Sequence, residues 1–161
     1  MSFDLTRWQD PLVIQQAIYG MKTVALVGLS SNRLRASHFV GFYLRRHGVT
    51  VIPVNPREKE VFGLKSVPTL ADVTVPVDVV DVFRAPDALP GIAREAVQIG
   101  ARTLWCQYTV INEEGGLIAE RGGLSVVMDR CLKVEHARYV GRMHWLGFNT
   151  QRITSVRGGL Q

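Results

Sequence analysis

The chain has 161 residues, a formal net charge of +5, and 47% hydrophobic against 20% charged residues, a composition that predicts one globular domain and excludes a disordered or fibrous chain. Its apolar runs fall well short of the ~20 residues a membrane-spanning helix needs. The start MSFDLTRWQDP lacks the basic and apolar regions of a secretory signal, so a soluble cytoplasmic protein is expected.

In chain order, Asp10 and Pro11 read as the cap and first residue of a short helix that Gly20 ends. TVALVG (23–28) is an apolar run without alternation, which suits a strand buried on both faces of a parallel sheet. SHFVGFYLRRHG (37–48) reads as a helix with Phe39, Val40, Tyr43 and Leu44 on one face. Four further strands are predicted at 49–54, 77–83, 101–106 and 124–128. Helical stretches lie between them: a short one near LADV, then 86–100 and 112–123. Pro90 and Gly91 fit only the first turn of their helix, and Gly115 and Gly116 weaken the last one.

Strands alternating with helices predict an α/β fold, a Rossmann-like three-layer sandwich with a five-stranded, mostly parallel sheet. That domain is expected over residues 1–140, followed by an irregular tail over 141–161. From Ala137 onward there are four arginines (Arg138, Arg142, Arg152, Arg157) and no acid, so much of the net charge sits at this end. The two cysteines, Cys106 and Cys131, form no CxxC and exclude a disulfide framework.

In an open parallel sheet, ligands bind beyond the carboxyl ends of the strands. After the first strand, GLSSNRLRAS (28–37) offers Gly28 for close backbone approach, hydroxyls at Ser30, Ser31 and Ser37, and two cations, Arg33 and Arg35, ahead of a helix N-terminus. These features suit a phosphate. The loop is neither GxGxxG, because Ser30 stands where the second glycine would, nor a P-loop, and a plain turn capped by Ser37 accounts for it equally well. The second strand runs into Asn55, Pro56 and Arg57, where a NAD-binding domain would place an acid. The missing acid and the arginine fit a ribose phosphate, as in NADP or coenzyme A, although Asn-Pro is also an ordinary turn. The third strand exits at Phe83 and Arg84, and the fourth at Trp105 and Gln107. Asp78 and Asp81 fall on opposite faces of a strand and read as structural.

Taken together, VALVGLS, the arginine-containing loop closed by Ser37, VIPVNPR, VDVVDVFR, LWCQ, INEE and VVMDRCLKVEH resemble the stand-alone bacterial and archaeal CoA-binding proteins, relatives of the CoA-binding domain of the succinyl-CoA synthetase alpha subunit. The resemblance covers residues 10 to 140. It implies a non-catalytic module that holds coenzyme A, or a short acyl-CoA, in the crevice. Gly28, Leu29, Ser30, Arg33, Arg35 and Ser37 would lie near the phosphates, Val54, Asn55, Pro56 and Arg57 along the nucleotide, and Phe83 and Arg84 across from it. Many family members carry a glycine at the position of Thr109, where this chain departs from the pattern.

Two other functions compete. An NADP- or CoA-dependent enzyme would draw on Cys106, Asp81, or Cys131 with His136, but five residues apart on a helix that last pair faces poorly. His38 reads as a surface or ligand-edge residue, and His47 and His144 as incidental. Nucleic-acid binding through the tail is disfavoured, since Trp145 and Phe148 are too few for a stacking platform. A homodimer is compatible with the sequence.

Overall fold

The computed structural model describes residues 3–140. In chain order the elements are α1 (Pro11–Gly20), β1 (Thr23–Val27), α2 (Ala36–Arg46), β2 (Thr50–Val54), β3 (Glu60–Val61), β4 (Leu64–Lys65), β5 (Val79–Val82), α3 (Leu89–Gln98), β6 (Thr103–Cys106), α4 (Glu113–Arg121), β7 (Ser125–Met128) and α5 (Leu132–Tyr139). One five-stranded sheet has the order β2-β1-β5-β6-β7, and each neighbouring pair is parallel. Thus the expected Rossmann-like α/β sandwich forms.

Each face of the sheet carries its own apolar layer. Val24, Leu26, Val79, Trp105 and Val127 pack beneath α1, α2 and α5 through residues such as Ile18, Leu44 and Leu132. On the opposite face Ala25, Val80, Val82 and Leu104 pack against Leu89, Ala93, Ala96 and Ala119 of α3 and α4, with Trp8 closing the edge. Strands buried on both sides have no polar face to alternate, which is why TVALV reads as an unbroken apolar run.

Local capping follows sequence chemistry. Asp10 Oδ1 accepts from the Leu12 N–H at 2.9 Å, and Asn112 Oδ1 from the Gly115 N–H at 2.9 Å. Pro90 sits in the first turn of α3, where its missing N–H costs nothing.

Three expectations need correction. The second helix starts at Ala36 with Arg35 as N-cap, so Ser37 does not cap it; its Oγ instead accepts from the Ser30 N–H at 3.1 Å. The buried stripe of that helix is Ser37, Val40, Gly41 and Leu44, while Phe39 is 54% exposed. The third strand spans only Val79–Val82. The short helical stretch expected near LADV is present as a 3-10 helix, Leu70–Asp72. The β3–β4 hairpin and the turn Leu5–Trp8 carry too few residues for periodicity to register. The expected tail, with Trp145, Phe148 and His144, lies outside the described residues.

Candidate functional site

The sheet order places the topological switch between β1 and β5, and Gly28 and Phe83 directly follow those two strands. Gly28 has φ +88°, and an added Cβ would stand 2.5 Å from the Phe83 carbonyl oxygen. Its N–H donates to the Val54 carbonyl at 2.8 Å, which ties the β1 and β2 exits together.

Short polar side chains then shape the loop. Ser30 Oγ accepts from the Asn32 N–H at 3.0 Å, and Asn32 Oδ1 from the Leu34 N–H at 3.0 Å. From the neighbouring exit, Asn55 Nδ2 donates to the Leu29 carbonyl at 3.0 Å, while its Oδ1 accepts from the Arg57 N–H at 3.0 Å. Asn55 therefore joins two loops and turns the chain so that Arg57 faces the crevice.

The result is a pocket of about 480 Å³ bordered by Gly28, Ser30, Arg35, Arg57, Phe83 and Arg84. Ala36 and Ser37 also line it at the first turn of α2, an end whose N–H groups suit an anion. One acid, Glu58, stands in the wall, but its Oε1 already accepts from the Ser31 N–H at 3.0 Å and the Ser31 hydroxyl at 2.9 Å.

Not every sequence-predicted residue meets there. Arg33 lines a separate pocket with His38, Phe39 and Phe62, between α2 and the hairpin. The Leu29 and Trp105 side chains are fully buried in the core, Trp105 Nε1 donating to the Arg130 carbonyl at 2.8 Å. Both sit in strand-exit runs whose alternate residues turn inward. Val54 and Pro56 border a small pocket of about 170 Å³ with Pro68, Ile92 and Arg84.

A fourth pocket, about 520 Å³, shares Ala36, Phe83 and Arg84 with the first and continues past Gln107 to Phe39, Tyr108, Thr109, Val110, Cys131 and Val134. Sequence reasoning missed most of this wall. The rule that ligands gather at strand exits, applied to β7 as it was to β1, would have pointed to Cys131. Gln107 has a second duty, its Oε1 accepting from the Leu132 N–H at 2.9 Å at the start of α5.

The candidate catalytic groups are differently disposed. Burial pushes the Asp81 carboxyl well above its ordinary range, and neither of its oxygens finds a hydrogen-bond partner. The Cys106 and Cys131 thiols are raised as well, first by burial. His136 is lowered by burial and by neighbouring His47, and its Nδ1 pairs with the Tyr43 hydroxyl at 2.9 Å instead of with Cys131. Asp78 accepts from the Lys22 and Thr23 N–H groups, both at 2.9 Å, a structural role. Among the described residues no helix is long and apolar enough to cross a membrane.

An uncharacterized protein, YneT of Bacillus subtilis, is 39% identical over 124 residues, covering 77% of this chain and 92% of that one. A solved structure described as a hypothetical protein from Pyrococcus horikoshii superposes with a TM-score of 0.81 at 33% identity, over 88% of this chain and 99% of its own. The dinucleotide-forming acetyl-coenzyme A synthetase 1 of Ca. Korarchaeum cryptofilum matches at a TM-score of 0.56 and 25% identity, over 76% of this chain and 27% of that one. The sequence profile of the family described as CoA binding domain matches residues 22–137. The chain belongs to the CoA binding domain family.

Proposed function

We propose that the chain is a binding module for coenzyme A or an acyl-CoA, held across the exits of β1, β2 and β5. The observation that carries this reading is the convergence of Arg35, Arg57 and Arg84 on one pocket that also contains the N-terminal turn of α2. Three guanidinium groups beside free helix amides match a ligand with several phosphates, because each such contact is a charge-assisted hydrogen bond. Family membership supports the same ligand.

The neighbouring pockets fit the rest of the molecule. Val54, Pro56, Pro68 and Ile92 form a small apolar slot suited to adenine, with Arg84 between it and the phosphate pocket. Arg57, which lines the other rim of the pocket, would meet the ribose phosphate. Phe83 and Arg84, which line both the phosphate pocket and the apolar pocket beyond it, would guide the pantetheine arm from one toward the other.

Titration calorimetry of the purified chain with CoA, NADP and ADP tests the proposal. CoA should bind most tightly, and more weakly as salt rises. NADP binding without CoA binding would overturn it. Arg57→Ala should weaken CoA about tenfold or more, the worth of one hydrogen bond to a charged group, while leaving CoA without its ribose phosphate unaffected.

A further inference from the structure

The 520 Å³ pocket differs in chemistry from the phosphate pocket it adjoins. Its walls include Phe39, Val40, Val110, Cys131 and Val134, and Phe39, on the rim, is 54% exposed. A large half-exposed aromatic beside an apolar hollow leaves apolar surface in water that an apolar ligand group would cover. The free thiol that ends CoA is small and covers little of it. A hydrocarbon chain on that thiol would cover more.

The same wall holds a strained residue. Thr109 lies at φ +70°, a region that β-branched residues avoid and glycine adopts freely. Its N–H donates to Asp129 Oδ1 at 2.9 Å, which fixes the backbone in that conformation and sets the side chain on the pocket wall. Strain of this kind persists where surrounding contacts enforce it and is concentrated at ligand sites. The hydroxyl and methyl of Thr109 narrow a pocket that a glycine would leave wider.

We propose that this pocket receives the acyl group of a short-chain acyl-CoA, and that Thr109 is a specificity-determining residue for it. The inference rests on the CoA-binding reading and adds the preferred form of the ligand. Phosphates seated at the Arg35 and Arg57 rim hold the carrier, and the pantetheine arm passes Phe83 and Arg84, which together with Ala36 are common to both pockets. Affinity gained beyond the thiol then comes from burying the acyl chain against Val110, Val134 and the Phe39 ring.

Titration of the full chain with CoA and with butyryl-CoA reads this directly. Butyryl-CoA should bind about tenfold more tightly, equivalent to about 1.4 kcal/mol. Thr109→Gly should raise the melting temperature, because the strain is released, yet lower the butyryl-CoA to CoA affinity ratio about threefold or more. A purely structural Thr109 would raise the melting temperature and leave the ratio unchanged, which would overturn its assigned role. Val134→Trp fills the pocket and should bring the ratio toward one; a melting curve establishes that it folds, and Thr109→Gly carries the test if it does not. An unchanged ratio in folded Val134→Trp would overturn the pocket assignment. Equal binding of CoA and butyryl-CoA by the unmodified chain would sink the acyl inference and leave CoA binding standing, whereas binding of neither would sink the reading beneath it.

Discussion

Gly28 and Phe83 approach so closely at the β1–β5 switch that an added Cβ on Gly28 would stand 2.5 Å from the Phe83 carbonyl oxygen. Gly28 also has φ +88°, so it meets both demands that only glycine satisfies, left-handed backbone and close approach. Gly28→Ala should therefore cost about 2–5 kcal/mol of stability, combining the left-handed penalty with overpacking. It should also weaken CoA, since Phe83 and the adjoining loop would shift. Chemical denaturation and calorimetry on the variant check both. A wild-type midpoint would show that the two strand exits separate without cost.

A second glycine behaves against helix propensity. Gly116 lies within α4, where alanine would be favoured by about 1 kcal/mol on propensity alone. A Cβ there would collide with the Trp8 ring, whose indole is anchored by Nε1 donating to Glu120 Oε2 at 2.6 Å. Gly115 is similarly tight, with Leu89 Cγ 2.6 Å from an added Cβ. Gly116→Ala should thus destabilise the fold by about 1–3 kcal/mol, overpacking outweighing propensity, as a thermal melt would show.

These glycines mark what the sequence reveals and what it hides. Apolar strand runs, helix caps such as Asp10, and turn residues such as Asn55 are local signals, and they locate the five strands and the crevice. Direction is not local. Arg33 and Arg35 are two residues apart, yet one faces the hairpin and the other the crevice, because the loop between Ser30 and Ser37 is set by its own hydrogen bonds. Gly115 and Gly116 look like breakers until Leu89 and Trp8, distant in sequence, are seen against them. The apolar pocket is not legible in the sequence because its walls come from α2, the exit of β5, the loop after β6 and the start of α5, segments that only the fold brings together.

Asp81 gives the stability a pH dependence of known sign. It is fully buried in β5 between Leu26 and Trp105, and desolvation raises its folded pKa well above the ordinary 3.8. A raised carboxyl binds its proton more tightly in the folded state, so its stabilising contribution is complete below about pH 3.8 and is lost as pH rises through the raised value. Asp81→Asn removes the titration. The variant should match the wild type near pH 4 and become progressively more stable than it toward neutrality, by up to about 1.4 kcal/mol per pH unit. Denaturant midpoints at several pH values measure the gap, and a gap that does not widen would contradict the account.

Glu135 and Arg138 of α5 carry their charges into the interior. Their side chains are 1% and 2% exposed, and Arg138 Nη1 stands 3.6 Å from Glu135 Oε2, too far for a strong hydrogen bond. Burial raises the Glu135 pKa, while the charges of Arg138 and then Arg130 pull it down. Desolvating two ions offsets much of what their attraction returns, so the pair as a whole contributes little net stability, whereas an orphaned member is costly. Arg138→Met alone should therefore destabilise by about 3–5 kcal/mol. Its penalty should shrink as pH falls, because Glu135 can then take up a proton and bury a neutral group. The double variant Glu135→Leu with Arg138→Met should recover most of the loss, since two apolar side chains leave no charge to desolvate. A double variant no better than Arg138→Met alone would mean that the guanidinium itself, through contacts beyond Glu135, holds α5 against the sheet.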